Sequence, residues 1–122
     1  MTSRPTTQSY RLSIRIDGPN GRIGPGKIEL LRLIGVHASI RAAAGSIGMS
    51  YPKAMRLLDE LGRIAGGPVV ASRHGGADRG GTEITPRGAL LLEIYDRICG
   101  SASDATADNL AAIAALSTSV KA

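Results

Sequence analysis

The chain has 122 residues, with fifteen Lys and Arg against ten Asp and Glu, so its net charge is +5. That length holds one domain with a modest core, and no apolar run reaches a membrane span or a signal peptide, which makes a cytoplasmic protein the expectation. With no Trp, no Phe and three Tyr, the low aromatic content argues against the base-stacking modes of single-strand and RNA binders.

Residues 1–9 are polar and Thr/Ser-rich and are expected to be disordered. Arg11–Asp17 alternates, with Leu12, Ile14 and Ile16 against Arg11, Ser13, Arg15 and Asp17. That pattern predicts a half-buried strand whose partner the sequence does not identify. Gly18–Gly26, GPNGRIGPG, reads as a turn-rich connection. Gly21, Gly26 and Lys27 match the spacing of a phosphate-binding P-loop, but Ile28 stands where the motif needs Ser or Thr for Mg²⁺. No cofactor is therefore expected.

Pro25–Val36 predicts a helix with Ile28, Leu31 and Ile34 inward and Leu30 and Leu33 widening the stripe. Ser39–Ile47 predicts a short second helix, capped by Ser39 and ended by Gly48, which accepts a left-handed backbone without steric cost. Ser50 caps a third helix with Pro52 in its first turn. Its apolar face is Ala54, Leu57, Leu58, Leu61 and Ile64, leaving Tyr51, Lys53, Arg56 and Arg63 on the other side. Two helices joined by a tight glycine turn, the second with a basic face, have the form of a helix-turn-helix. The same spacing also serves helical hairpins that bind nothing.

Gly66-Gly67-Pro68 stops the third helix. Val69–Ser72 and Thr82–Thr85 read as strands flanking Arg73–Gly81, RHGGADRGG. Such a loop after a helix-turn-helix is a wing, with Arg73 and Arg79 supplying charge to a phosphate backbone or minor groove. An unpartnered hairpin tip is the other reading. Thr85 caps and Pro86 starts a fourth helix, Pro86–Cys99, with Leu90, Leu91, Leu92, Ile94, Tyr95 and Ile98 spread over more than one face. Gly100–Asp108 is expected to interrupt it, and Leu110–Leu116 can form a last helix. These boundaries divide the chain into a disordered start (1–9), a DNA-binding domain (10–100) and a C-terminal tail (101–122).

Residues 1–98 hold fourteen basic and eight acidic side chains, so the charge surplus belongs to the folded part and suits a polyanion. The single Cys99 has no partner for a disulfide or a cysteine-based metal site. His37 and His74 lie apart, and His74 has no ligand neighbours at metal-binding spacing. Asp59 and Glu60 diverge on their helix and are expected to be solvated or paired with Arg56 and Arg63. No residues converge on a catalytic or metal site, and an enzyme is not expected.

The runs GRIGPGKIELLRLI, SIGMSYPKAMRLLDEL and PVVASRHGGADRGGTEITPRGALLLEIYDRI resemble the winged-helix DNA-binding domain of ModE-type molybdate-responsive regulators. Ser50-Tyr51-Pro52 is also similar to the Ser-x-Pro start of the LysR-type recognition helix. The resemblance covers about Leu12–Ile98. It implies a mainly α fold with small β structure: a three-helix core, a two-stranded wing and a C-terminal helix. It further implies that Ser50, Tyr51, Lys53 and Arg56 approach the major groove or its flanking phosphates, with Arg73 and Arg79 in the wing. Met55 stands where many ModE relatives carry a bulky aromatic. Full ModE proteins continue into a molybdate-binding domain, which the tail after Ile98 does not resemble. The expected protein is thus a homodimeric regulator of transcription, a repressor on double-stranded DNA, that does not itself bind molybdate. The alternative is a winged helix that works by protein interaction, pairing with a full-length regulator.

Overall fold

A computed structural model describes residues 9–73 and 81–119. The order of elements is β1 (Ile16–Gly18), β2 (Gly21–Ile23), α1 (Pro25–His37), α2 (Ile40–Ser46), α3 (Tyr51–Ala65), β3 (Val70–Ser72), β4 (Thr82–Ile84) and α4 (Pro86–Ser119). The protein is mainly helical, with two two-stranded antiparallel sheets. The described residues divide into two compact units, one within Ile14–Tyr95 and a second made of residues 9–13 and 96–119. No described helix is long and apolar enough to cross a membrane.

The larger unit is built around α1. Ile28, Leu30, Leu31 and Ile34 are buried there, a stripe wide enough for α2, α3 and β4 to pack against it. Ala43 and Ala44 of α2, Ala54, Leu58 and Leu61 of α3, and Val69 complete this core with Ile23 and Tyr95. Small residues on α2 let the short helix sit close to its neighbours. The Tyr95 hydroxyl donates to the Ile14 carbonyl at 2.6 Å, so its buried polar end is satisfied.

The helix ends follow the capping chemistry. Ser39 Oγ accepts from the Ala42 N–H at 3.0 Å and Ser50 Oγ from the Lys53 N–H at 3.2 Å. Between them Gly48 has φ +68°, with Gly48 N–H donating to Gly45 O and Met49 N–H to Ala44 O. That pair of bonds is a Schellman close, and it sets the tight turn from α2 into α3.

Three expectations change. The partner of the N-terminal strand lies inside the supposed connection: β1 pairs with β2, Ile16 opposite Ile23 and Gly18 opposite Gly21. Pro19 and Asn20 make the two-residue turn, and Gly21 opens the returning strand at φ +142°, a backbone that glycine adopts without steric cost. The strand is also shorter than Arg11–Asp17, although Leu12, Ile14 and Ile16 keep their half-buried alternation. Finally, Gly100–Asp108 does not interrupt the last helix, which runs unbroken from Pro86 to Ser119. One glycine costs a helix only about 1 kcal/mol, the segment has no proline, and Thr106 Oγ1 donates back to the Ala102 carbonyl at 2.8 Å.

The lysine of the P-loop look-alike is engaged elsewhere. Lys27 Nζ lies 2.9 Å from Glu60 Oε1 and also donates to the Arg22 carbonyl. Glu60 Oε2 accepts from the Arg22 N–H at 3.2 Å. Glu60 therefore fastens β2 and α1 to α3 rather than pairing along its own helix. The Lys27 hydrogen bond, then the Arg22 N–H, hold its carboxyl below the usual carboxylate range. A pKa lowered in the folded state contributes stability above the unfolded value and loses it as pH falls through the folded one. The urea midpoint should drop between pH 6 and pH 3 by more in the wild type than in Glu60→Gln. Equal drops would show that the staple carries no pH dependence.

Candidate nucleic-acid interface

α3 owes its exposed face to the spacing of its apolar residues. With Ala54, Leu58 and Leu61 turned into the core, Tyr51, Lys53, Arg56 and Arg63 are exposed. Lys53 and Arg56 are three residues apart, which puts them on adjoining positions of the helix surface. Among the described residues, neither side chain has an ion-pair or hydrogen-bond partner. Asp59 is exposed on the same helix and, among the described residues, also forms no ion pair. Ser50 is exposed too, and its hydroxyl serves as the N-cap of this helix.

Tyr51 is held by a residue that the sequence did not single out. The Arg41 guanidinium lies over the Tyr51 ring, 4.5 Å from its centroid, within the range of a cation–π contact. Arg41 is exposed on α2, so α2 adds a cation beside the first turn of α3. Nothing local in the sequence reveals this pair, because it depends on the angle of the α2–α3 turn.

One hairpin flanks each side of this face. Tyr51, Met55, Asp59 and Arg63 line one groove with Val70, Ala71 and Ser72 of β3. On the other side Lys53 and Leu57 line a cavity with Arg15, Arg22, Gly24 and Gly26, around the β1–β2 hairpin. Arg73 follows β3 with its side chain exposed, and its N–H donates to the Gly81 carbonyl at 2.9 Å. Arg79 and His74 lie outside the described residues.

The β3–β4 hairpin is fixed to the helical core. β3 and β4 pair with Val70 opposite Ile84 and Ser72 opposite Thr82. The Thr82 N–H donates to the carbonyl of Ala38, a residue in the left-handed region with φ +56°. Gly81 passes so close that a Cβ there would lie 2.8 Å from the Ala38 oxygen. At its other end Thr85 Oγ1 donates to the Pro68 carbonyl at 2.7 Å and accepts from the Gly88 N–H at 3.0 Å.

Comparison with known proteins gives relatives that share much of this chain. Molybdenum-pterin-binding protein MopB of Rhodobacter capsulatus is 34% identical over 83 residues, 68% of this chain and 31% of that protein. Molybdenum transport protein ModE of Herbaspirillum seropedicae is 32% identical over 95 residues, 78% of this chain and 35% of that protein. The DNA-binding transcriptional dual regulator ModE of Escherichia coli K12 is 32% identical over 72 residues, 59% of this chain and 28% of that protein. The chain spans about a third of the length of the curated relatives it matches. No family model matches it.

Proposed function

We propose that this chain, similar to the ModE and Mop proteins over much of its length, is a DNA-binding regulator of transcription. The observation that carries the reading is the exposed face of α3, where Lys53 and Arg56, unpartnered among the described residues, lie with Arg63 between two hairpins. Its tight junction with α2 and the anchored β3–β4 hairpin suit a winged helix-turn-helix. α3 would enter the major groove, Ser50, Tyr51, Lys53 and Arg56 meeting base edges or flanking phosphates, while Arg73 and Arg79 contact the neighbouring backbone. The reading takes the protein as a repressor, in the cytoplasm and without catalysis. Fluorescence anisotropy on duplex DNA at graded salt tests the reading. Affinity that falls linearly on a log–log plot supports it, and no binding at low salt overturns it.

The same reading includes a homodimer. Leu90 and Ile94 are 49% and 42% exposed, four residues apart on α4, and apolar side chains so aligned suit a self-complementary contact. Two copies would present two α3 helices to successive major grooves of an inverted repeat. Sedimentation equilibrium at micromolar concentration should give a dimer, and replacing Leu90 and Ile94 by glutamate should give a monomer with unchanged helicity. A wild-type monomer that binds a single half-site with full affinity would end this part. Pairing with a full-length regulator would show instead as a heteromer.

A further inference from the structure

We propose that the β1–β2 hairpin is a second phosphate-binding arm, with Arg15 and Arg22 gripping the DNA backbone beside α3. The inference rests on the DNA-binding reading above and extends it to residues outside the helix-turn-helix and the β3–β4 hairpin.

Asp17 stands opposite Arg22 in the hairpin, Arg15 lies two residues before Asp17, and the two arginines share its carboxylate. Arg15 Nε lies 3.2 Å and Arg22 Nε 3.5 Å from Asp17 Oδ1, and an Arg15 terminal nitrogen donates to Asp17 Oδ2 at 3.4 Å. Asp17 cancels one of the two charges and holds both guanidinium groups in one place. A guanidinium has five N–H donors, so each arginine keeps free donors for a phosphate, the group such forks bind best. Their side chains are 58% and 59% exposed, which leaves room for a ligand to approach.

The position of the pair selects the ligand. Arg15 and Arg22 line one cavity with Lys53 of α3, so the arm and the recognition face meet at a shared lysine. Lys27 borders the cavity too, but its charge is matched by Glu60. Gly26 offers no side chain there, and even a Cβ would meet nothing within 4 Å. The cations left over, one from the arginine pair and one from Lys53, extend the positive face of α3 toward the hairpin. A nucleic-acid strand whose groove admits α3 carries phosphates at regular spacing past such a patch. That continuity favours the DNA backbone over a free phosphate ion.

The test compares the full chain with Arg15→Ala/Arg22→Ala and with Asp17→Asn on duplexes with and without the preferred sequence. The double variant should bind both duplexes about tenfold or more weakly, keep its sequence preference, and flatten the salt slope by about one or two units. Asp17→Asn removes a negative charge and should tighten binding to every duplex. A purely structural role for the trio would instead weaken binding in both variants. An unchanged slope in the first variant, or unchanged or weaker binding in the second, overturns the proposal. Wild type that binds no duplex defeats the parent reading as well. Thermal stabilisation by inorganic phosphate, lost in the double variant while DNA binding is intact, would assign the site to a free anion and overturn the DNA arm alone.

Discussion

Replacing Lys53 and Arg56 together by alanine should abolish sequence-specific DNA binding and leave the circular dichroism spectrum unchanged. Both side chains are exposed, and among the described residues neither contributes a side-chain hydrogen bond or ion pair. Alanine is the strongest helix former, so α3 loses nothing by the change. A base-edge contact is worth roughly 1–3 kcal/mol of discrimination. Losing two removes roughly 2–6 kcal/mol, between about thirtyfold and twenty-thousandfold in affinity. That takes a specific complex toward the level of non-specific binding. Gel shifts on specific and scrambled duplexes give the answer. If affinity for both duplexes falls alike, these residues contact phosphates, and if neither falls, α3 is not the recognition element.

The second large effect concerns the fold. Gly88→Ala should lower the melting temperature by about 10 °C, whereas Gly100→Ala should raise it slightly. Gly88 is buried at the start of α4. A Cβ there would overlap the Val69 carbonyl oxygen and lie 3.0 Å from Ile84 Cγ2. The backbone cannot retreat easily, because Thr85 N–H donates to the same Val69 oxygen at 3.0 Å. Overpacking of this kind costs about 3 kcal/mol, which is about 10 °C for a domain of this size. Gly100 is the control: it lies inside α4 and its Cβ would meet nothing within 4 Å. There alanine relieves only the entropy cost of glycine, roughly 0.5–1 kcal/mol. Thermal melts of both variants decide it, and an undisturbed Gly88→Ala would mean that α4 can shift off the hairpin freely.

What the sequence revealed and what it hid follow from the range of the interactions. Helix boundaries at Ser39, Gly48, Ser50 and Gly66 were legible because capping is decided within one turn of chain. The Thr85-Pro86-x-Gly88 run was visible as a motif, yet the need for Gly88 comes from Val69, a neighbour only in the fold. The β2 strand was hidden by Gly21 and the glycines on either side of it, which resemble a loop until Ile16 is set opposite Ile23. The continuity of α4 was hidden by small polar residues that weaken a helix without stopping it. For the interface, exposure of Lys53 and Arg56 was readable from apolar spacing. The Arg41–Tyr51 stack, the Lys27–Glu60 staple and the meeting of Arg15, Arg22 and Lys53 were not, since each joins separate elements.

The anchoring of the β3–β4 hairpin bears on how such a protein can change its target over generations. Ala38, Pro68 and Thr85 hold the base of the hairpin through hydrogen bonds that involve none of the residues between Arg73 and Gly81. Lengthening a loop whose ends are already fixed is thermodynamically cheap, about 0.6 kcal/mol for each doubling. Added length in that segment therefore costs folding little while the anchored ends stay in place. Selection can retune it without reopening the core, and an engineer can graft a foreign tip between Arg73 and Gly81 on the same terms.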